Sequence, residues 1–309
     1  MAVTNMSDNS NLFSRLLHDR RELLISAYSK FIYKPILKNL SDEAYLKLTY
    51  WVFVGKKLHL DNPKGFNEKL QWLKIHDRNP RYPSMADKFL VRDYIKSVIG
   101  EEYLVPVVGI WDKFDDIDVN SLPDQFVLKC THDSGSAIVC KDKSAFDWEE
   151  ARKKITRCLN RNMFYWGREW PYKDLTPRII CEHFLDDGNG DLEDYKFMCF
   201  NGEPKMIFTC TERRSEDGLK VTFFDMDWNK LPFYRHYLAS SKQIEKPSKF
   251  DEMVRLAKVL SKDMPFVRID FYEVKGRVYF GEITFYPGCG FEEFHPDEWD
   301  YKLGEMIKL

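Results

Sequence analysis

Near the C-terminus the chain reads VRIDFYEVKGRVYFGEITFYPG, from Val267 to Gly288. Polar and apolar residues alternate on both sides of a Lys-Gly pair, which is typical of two antiparallel strands with one buried face. A three-residue loop over Val274–Gly276, with its glycine in the left-handed conformation, predicts a β-hairpin. In that register Arg268 lies opposite Glu282, and Asp270 lies opposite Phe280.

One face of this hairpin is predicted to gather Arg268, Asp270, Glu282 and Thr284. Two carboxylates that close repel each other unless a cation lies between them. Their hard oxygen ligands suit Mg²⁺, which typically takes one or two protein carboxylates together with nucleotide phosphates. An ion pair between Arg268 and Glu282, with Asp270 merely solvated, explains the pattern as well, so both interpretations stay open at this point.

The composition describes an ordinary globular protein. The chain has 309 residues, of which 31% are charged and 44% hydrophobic, and its net charge is −2. This length allows a sizeable core and suits two domains or one large α/β enzyme. The small net charge argues against general nucleic-acid binding, which needs a basic excess.

The cysteines and the lack of long apolar runs indicate the compartment. Seven cysteines form no Cys-x-x-Cys pair and leave an odd residue over, so neither a zinc site nor a disulfide framework is expected. Several lie in apolar runs, where a free thiol behaves as a small hydrophobe in a reducing compartment. No cleavable signal peptide and no apolar run of about 20 residues is visible. These features predict a cytoplasmic protein.

The N-terminal region is predicted to be helical. Residues 1–10 are polar and are predicted to be disordered. From Asn11 to Leu40, leucines, Ala27 and Phe31 mix with basic residues, which predicts a basic amphipathic helix. Attachment to an anionic membrane surface, at the inner face of the membrane, is one interpretation. Packing of the apolar face on the chain's own domain is the interpretation that is favoured.

The remaining chain alternates between strand-like and helical patterns. Ser84 and Asp87 have the spacing of a capping box, which predicts one helix that ends at Gly100 and carries Lys88 and Arg92 on a solvated face. Later segments read mostly as hairpins, with helices between them. The sequence therefore predicts an α+β fold with mostly antiparallel sheets.

Two further segments carry candidate ligand contacts. Lys129 ends a strand and is followed by the small polar loop His132–Ser136, whose backbone N–H groups suit phosphate. The loop matches no Walker motif, and a plain turn between strands explains it too. Asp194 and Lys196 share one face of a later strand, an arrangement that ordinary surface alternation explains equally well.

Long blocks of the sequence, in one order, resemble the TupA-like ATP-grasp family, which is associated with teichuronopeptide and cell-surface polysaccharide synthesis. The resemblance extends from about Tyr45 over nearly the whole chain. The blocks that carry it are GKKLHLDNPKGFNEKLQWLKIHDRNP, ADKFLVRDYI, FVLKCTHDSG, DYKFMCFNGEPK, VRIDFYEV and YFGEITFYPGCGFEEFHPDEWDYKLG.

The resemblance implies an ATP-grasp fold, in which two α+β lobes with antiparallel sheets enclose ATP. The implied divisions are an N-terminal helical region over residues 1–83, the N-terminal lobes with the phosphate loop over 84–185, and the C-terminal catalytic lobe over 186–309.

The resemblance also implies roles for individual residues. Lys88 and Lys129 are implied to contact the ATP phosphates, and Glu182 to read adenine from a hinge; Asp194 holds ribose or orients Lys196. The implied nucleotide-binding set is Lys88, Lys129, His132, Ser134, Gly135, Ser136, Glu182, His183, Phe184, Leu185, Asp194 and Lys196.

The implied metal ligands are Asp270, Glu282 and Thr284, where Thr284 stands at a position that carries Asn in many ATP-grasp enzymes. Arg268, Lys196 and Lys129 are implied to act in catalysis by stabilising charge on the transferred phosphoryl group. Lys196 occupies a place where relatives often have Arg, and it supplies the charge without the bidentate fork.

The implied activity is an ATP- and Mg²⁺-dependent ligation. The γ-phosphoryl group moves to a substrate carboxylate, and an amine attacks the acyl phosphate to give an amide. The polysaccharide association implies a uronic-acid carboxylate and an amino acid or other amine as substrates. Tyr286 and Phe291 are candidates for a sugar site, although core packing explains them as well. The sequence does not give the oligomeric state.

Two rival functions remain at this stage. A glycosyltransferase is suggested by Asp225 and Asp227 in FFDMDWNK, since such a carboxylate pair can hold a metal and a nucleotide-sugar diphosphate. The same segment also reads as the turn of a hairpin. A non-catalytic nucleotide-binding protein is the other rival, because Thr284 is a weaker metal ligand than Asn or a carboxylate.

Overall fold

The computed structural model describes residues 21–186, 188, 192–213, 215 and 218–309. The predicted disorder of residues 1–10, and the first part of the predicted N-terminal helix, lie outside these residues. Within them, a four-stranded and a five-stranded sheet both contribute to one cleft. Every strand pairing is antiparallel.

The smaller sheet has the strand order β1-β4-β2-β3. Its strands are β1 (Val107–Trp111), β2 (Phe126–Cys130), β3 (Ile138–Cys140) and β4 (Ile179–His183). Phe126, Leu128 and Cys130 of β2 are buried and alternate with half-buried residues, so one face of this sheet forms a separate small core.

The larger sheet has the strand order β10-β9-β5-β6-β7. Its strands are β5 (Asp194–Phe200), β6 (Glu203–Thr211), β7 (Lys220–Asp225), β9 (Phe266–Val274) and β10 (Arg277–Thr284). The short strands β8 (Tyr234–Arg235) and β11 (Phe294–His295) pair separately.

The helices surround these sheets. The first, α1, covers residues 21–29. The others are α2 (Pro35–Lys38), α3 (Asp42–Val54), α4 (Phe66–His76), α5 (Tyr82–Ala86), α6 (Val91–Val98), α7 (Trp148–Leu159), α8 (Phe164–Gly167), α9 (Phe250–Leu260) and α10 (Glu298–Met306).

The main core lies on one face of the larger sheet. Phe197, Ile269 and Phe271 point into it and are fully buried, and α9 covers them with Met253 and other apolar residues at helical spacing. The polar residues that alternate with them therefore point to the opposite face, which is the face of the cleft.

The structure corrects the predicted register of the hairpin. The turn is a two-residue one, with Lys275 and Gly276 both at positive φ, and Phe280 pairs with Phe271. A bulge between Phe280 and Glu282 then shifts the pairing, so that Glu282 lies directly opposite Asp270. The predicted Arg268–Glu282 and Asp270–Phe280 pairings are wrong, yet the polar face that they predicted is retained.

The helix predicted to end at Gly100 is divided in two. Ser84 lies inside α5, and its hydroxyl donates to the Arg81 carbonyl, so it is not an N-cap. Asp87 instead breaks the helix with an extended backbone, and its carboxylate accepts from the N–H groups of Phe89 and Leu90. The break points Lys88 at the loop that follows β2.

The N-terminal helical region packs on the chain, but largely through other apolar residues than those predicted. Leu23, Leu24 and Phe31 are 71%, 40% and 53% exposed, whereas Ile32 is fully buried and the Tyr28 ring meets Phe53 edge to face. Arg21 also packs, because its guanidinium contacts Glu293 and the Phe53 carbonyl. Membrane contact through this helix remains a prediction.

Among the helices of the described residues, none combines the length and apolarity needed to cross a bilayer.

Candidate active site

A row of three charged residues on adjacent strands reaches the cleft at Glu282. Lys196 on β5 pairs with Asp270 on β9, which pairs with Glu282 on β10. Gly281 forms the bulge that aligns Glu282 with this row, and a Cβ there would lie 3.1 Å from the Asp270 carbonyl oxygen. A larger residue would therefore press on the backbone of Asp270.

Arg268 donates hydrogen bonds to both acids, Asp270 and Glu282. Its Nε and Nη2 donate to the Asp270 Oδ1 and Oδ2 at 2.7 and 2.8 Å, and Nη2 also donates to Glu282 Oε1. Lys196 Nζ lies 2.5 Å from Asp270 Oδ2 and 3.5 Å from Asp194 Oδ1. The acidic pair is thus matched by two cations, and bidentate Arg–carboxylate pairs of this kind are rigid.

Burial and charge oppose each other at these acids. Burial raises the pKa of Glu282, but Arg268, Lys196 and Lys88 outweigh it and hold that pKa at about 2. Burial also raises the pKa of Asp270, against the lowering effect of Arg268 and Lys196. The Glu282 side chain is 40% exposed, whereas that of Asp270 is 1% exposed. Glu282 is therefore an ionised carboxylate that a ligand in the cleft can reach.

The opposite wall carries basic side chains from β2 and from the helix break. Lys129 Nζ lies 2.6 Å from Glu182 Oε2, and Arg92 Nη1 lies 3.7 Å from Glu182 Oε1. Lys88 donates its backbone N–H to the Thr131 carbonyl at 2.9 Å, and its Nζ to the Asp133 carbonyl. These bonds fix Lys88 beside the loop that follows β2.

That loop is built to present backbone to the cleft. Ser136 Oγ accepts from the Cys130 N–H at 2.8 Å and donates to Asp133, which closes the loop into a tight turn. Gly135 has φ +86°, and no atom lies within 4 Å of a Cβ placed on it. The open face of the loop suits the close approach of a phosphate to backbone N–H groups.

The cleft between these walls has a volume of about 580 Å³. It is lined by ten of the predicted nucleotide-binding residues: Lys88, Lys129, Ser134, Gly135, Ser136, Glu182, His183, Phe184, Leu185 and Asp194. Glu282 lines it too, and Asp270, Arg268 and Thr284 adjoin Glu282. Lys196 and His132 are not among the lining residues, so most of the predicted set converges, and the individual roles remain predictions.

His132 does not reach the cleft. Its ring is buried, and Nε2 lies 3.1 Å from the Arg161 carbonyl, on the interior side of the loop. The pKa of His132 is lowered, chiefly by burial. The ring is therefore not among the groups that line the cleft, and the place of His132 in the nucleotide-binding set stays a prediction.

Two cations at the site were missed by the sequence interpretation. Arg92, read as solvated surface, contacts Glu182, and Arg213 contacts Asp194 and lines the cleft. Arg213 follows closely after β6, the strand that pairs with β5 beside Lys196. A basic residue just after that strand is the sequence signal that could have identified it. Thr284 Oγ1 donates to Glu282 Oε1 at 2.8 Å and so orients that carboxylate.

The donor set fits one magnesium ion carried on nucleotide phosphates. The described residues contain no group of three or more His, Cys, Asp or Glu able to hold a metal by themselves. Glu282 and Asp270 supply two carboxylates, which is the number that Mg²⁺ commonly takes from a protein when phosphates complete its shell.

In the rival carboxylate pair, Asp225 has a local structural role. Asp225 accepts from the N–H groups of Asp227 and Asn229 at 2.9 and 2.8 Å and from the Asn229 side chain at 2.9 Å. Both of its oxygens therefore hold the turn after β7, which agrees with the hairpin interpretation of this segment. Asp225 and Asp227 do not line the cleft.

Two antiparallel sheets that enclose a cleft, with a phosphate loop on one side and paired acids on the other, define an ATP-grasp protein. The family model for TupA-like ATP-grasp proteins matches residues 68–308. The chain belongs to this family, which confirms the predicted α+β ATP-grasp fold. The predicted domain boundaries stay predictions. No curated protein matches the chain.

Solved structures with the same kind of fold are distant. D-alanine–D-alanine ligase from Bacillus anthracis complexed with ATP is 15% identical, with a TM-score of 0.39, over 72% of this chain and 58% of that chain. The chain thus spans under two thirds of that ligase's length. The ATP-grasp ligase PsnB with a precursor variant, Mg and ADP is 11% identical, with a TM-score of 0.38, over 71% and 57%. D-cycloserine synthetase DcsG is 15% identical, with a TM-score of 0.38, over 74% and 72%.

Proposed function

We propose that the chain is an ATP- and Mg²⁺-dependent ligase that joins a carboxylate to an amine through an acyl phosphate. The observation that carries this proposal is the row Lys196–Asp270–Glu282, bound by Arg268, which reaches through Glu282 a cleft that also contains Lys88 and Lys129. Family membership supports the nucleotide and the ligase class.

The chain's own residues account for binding and orientation of the nucleotide. Lys88, Lys129 and the loop Ser134–Ser136 neutralise and hold phosphates from one wall. Glu182, which forms an ion pair with Lys129, keeps that lysine pointed into the cleft. The segment His183–Leu185 lines the adenine end.

Phosphoryl transfer needs stabilisation of the charge that develops on the moving group. Arg268 and Lys196 lie beside the two acids and supply fixed positive charge, so they cost no reorganisation during the step. A magnesium ion held by Asp270 and Glu282 would neutralise the phosphates. The substrate carboxylate oxygen becomes bonded to the γ-phosphorus, ADP leaves, and an amine then displaces phosphate to form the amide.

For the substrates, we propose a uronic-acid carboxylate in cell-surface polysaccharide synthesis, joined to an amino acid or another amine, and we propose that the enzyme acts in the cytoplasm. The family's association with such polysaccharides supports this class of substrate. Arg268 and Lys196 neutralise Asp270 and Glu282, so a magnesium ion bound by these acids would leave both cations able to offset the charge of a substrate carboxylate.

The test is ADP release from ATP and Mg²⁺ with a panel of uronic acids and nucleotide-linked uronates, with hydroxylamine as the amine. Hydroxylamine traps an acyl phosphate as a hydroxamate, so hydroxamate that depends on ATP and on the uronate is the expected product. Stabilisation by UDP-sugars with no response to ATP would instead favour a glycosyltransferase.

A further inference from the structure

The N-terminal helical region exposes a second set of apolar side chains, besides those that pack on the chain. Leu23 and Leu24 on α1 are 71% and 40% exposed, Phe31 in the turn that follows is 53% exposed, and Ile36 on α2 is 71% exposed. A helix that packs through one apolar face ordinarily carries polar residues on the other. Packing within the described part of the chain therefore does not account for these four side chains.

Contacts on the packed side hold this region firmly against the rest of the protein. Tyr28 Oη lies 2.7 Å from Thr49 Oγ1 on α3. Buried Arg168 donates from Nη2 to the carbonyls of Leu37 and Lys38, at 2.9 and 3.0 Å. The exposed apolar side chains are therefore carried on a fixed support.

The charges beside these side chains are mainly positive. Between residues 21 and 40 the charged residues are Arg21, Lys30, Lys34, Lys38 and one acid, Glu22. Arg21 is paired with Glu293, and Lys38 is half-buried. Lys30 and Lys34 are exposed, and neither forms an ion pair with another described residue. This surface is thus basic, although the whole chain has a net charge of −2.

Exposed apolar side chains with unpaired lysines beside them fit the surface of an anionic bilayer. The apolar side chains can enter the boundary between headgroups and acyl chains, while the lysines contact the anionic headgroups through their flexible stems. A second copy of the chain fits less well, because two such surfaces placed face to face would bring like charges together.

We propose that this surface docks the protein on an anionic lipid bilayer. The docking face consists of Leu23, Leu24, Lys30, Phe31, Lys34 and Ile36. The contact is peripheral, since only side chains of the docking face enter the bilayer. Because Arg168 and Arg21 fix this region to the rest of the chain, docking also fixes the orientation of the protein on the bilayer.

The experiment is sedimentation of the full chain with phosphatidylcholine vesicles that contain about one third phosphatidylglycerol. Each lysine close to an anionic surface strengthens binding by about fivefold. We therefore expect binding to these vesicles to be at least about tenfold tighter than binding to vesicles of phosphatidylcholine alone, and to weaken with added salt.

One pair of variants tests the charges of the docking face. Lys30→Gln combined with Lys34→Gln should weaken binding to the anionic vesicles at least about tenfold. Lys205→Gln combined with Lys262→Gln is the matched control, because it removes two positive charges at exposed positions outside the docking face. Thermal unfolding of each variant verifies that the fold is retained.

A second pair tests the apolar side chains. Leu23→Ser combined with Phe31→Ser should also weaken binding at least about tenfold, since both side chains lose the apolar surface that would enter the bilayer. Val98→Ser combined with Val259→Ser is the matched control, because these valines are 38% and 41% exposed on α6 and α9.

Several results would overturn the proposal. They are absence of wild-type binding to the anionic vesicles, equal binding to neutral vesicles, or equal binding by the docking-face variants and their controls. Light scattering of the protein alone tests the other occupant: a dimer that is lost in the Leu23→Ser and Phe31→Ser variant would make this face an interface between copies. None of these measurements uses ATP turnover, so the proposed function is tested separately.

Discussion

At the scale of single residues, Arg268 organises the site. It bonds both oxygens of Asp270 and one of Glu282, so neither acid is free to rotate. Thr284 and Lys196 restrain the same two acids from the sides. The two carboxylates nevertheless differ, because Glu282 is partly exposed and Asp270 is sealed in.

Because the two acids differ in exposure, substitutions at them are expected to affect stability differently. We expect Glu282→Gln to lower turnover at least about 100-fold while stability changes by less than about 1 kcal/mol, since the side chain is partly exposed. Asp270→Asn should lower turnover as much and also destabilise the fold by about 3 kcal/mol, because it leaves two buried cations without their partner.

Urea unfolding and hydroxamate formation measure the two effects in parallel. Glu298→Gln, at an exposed carboxylate of α10 outside the nucleotide cleft, is the control for loss of one negative charge. Wild-type turnover in either site variant would remove the assignment of the acids.

Lys74 makes the stability depend on pH. Burial lowers the pKa of Lys74 to about 8, from an ordinary value of 10.5. Between these values the unfolded chain binds a proton that the folded chain has released, so the Lys74 contribution rises with pH by up to about 3 kcal/mol. Below pH 8 both states are protonated, and burial of the ammonium is then most costly.

We expect Lys74→Met to remove this rise. The free energy of unfolding of wild type minus that of the variant should increase from pH 8 to 10.5 in urea titrations. Lys47→Met is the control, because Lys47 is an exposed partner of Glu43 on α3. A difference that stays flat over this range would contradict the assignment.

The sequence predicted the site residues better than it predicted their neighbours. Alternation within a strand fixes which side chains share a face, so Arg268, Asp270 and Glu282 were placed together from the sequence alone. Arg213 reaches the same cleft from another element, and Arg92 reaches Glu182 at its wall. No local sequence pattern encodes such contacts between distant elements. His132 shows the reverse case, since a residue within a phosphate loop can point inward.

At the scale of elements, one bulge sets the register between β9 and β10. Hairpin prediction from the turn residues assumed a regular ladder and paired Arg268 with Glu282. The structure has a shorter turn and a bulge at Gly281, and these two changes move β10 so that Glu282 faces Asp270. The helix break at Asp87 was missed because Ser84 and Asp87 were read together as the start of one helix. In the structure the Asp87 carboxylate instead bonds the N–H groups that precede α6.

We expect Gly281→Ala to lower turnover at least about tenfold. The added Cβ would lie 3.1 Å from the Asp270 carbonyl oxygen, so the ladder must shift and with it the two acids. Gly276→Ala is the matched control, since its φ of +74° makes alanine strained by about 1 kcal/mol, but nothing lies within 4 Å of its Cβ.

Both variants are compared by urea unfolding and by hydroxamate formation. Equal losses of turnover at equal stability would show that the bulge has no special role in placing Glu282.

At the scale of the whole molecule, the cleft depends on two sheets with separate cores. Lys129 comes from the four-stranded sheet and Glu282 from the five-stranded one, and no strand pairs across the two sheets within the described residues. A ligand that contacts both walls therefore adds a link that the chain alone does not supply.

We expect ATP with Mg²⁺ to stabilise the chain by about 2.7 kcal/mol at 100 times the dissociation constant, which corresponds to a rise in Tm of roughly 5 °C. Lys129→Met should abolish most of this rise, because it removes the charge on one wall. Asp225→Asn should leave it unchanged, since Asp225 holds a distant turn.

Thermal unfolding at several ATP concentrations, with and without EDTA, gives the measurement. A rise with UDP-glucose that ATP does not produce would contradict the nucleotide assignment.

The guanidinium of Arg268, already seated between Asp270 and Glu282, has a consequence for the order in which ligands arrive. Free Mg²⁺ must give up hydration water and compete with a bound cation for the same oxygens, so it gains little on its own. A metal chelated by a triphosphate would bring its own anionic ligands, and the phosphate oxygens would also compensate the charge of Arg268. In the proposed ligase, Mg²⁺ would therefore enter as its complex with the nucleotide, and until then Arg268 keeps the two acids neutralised.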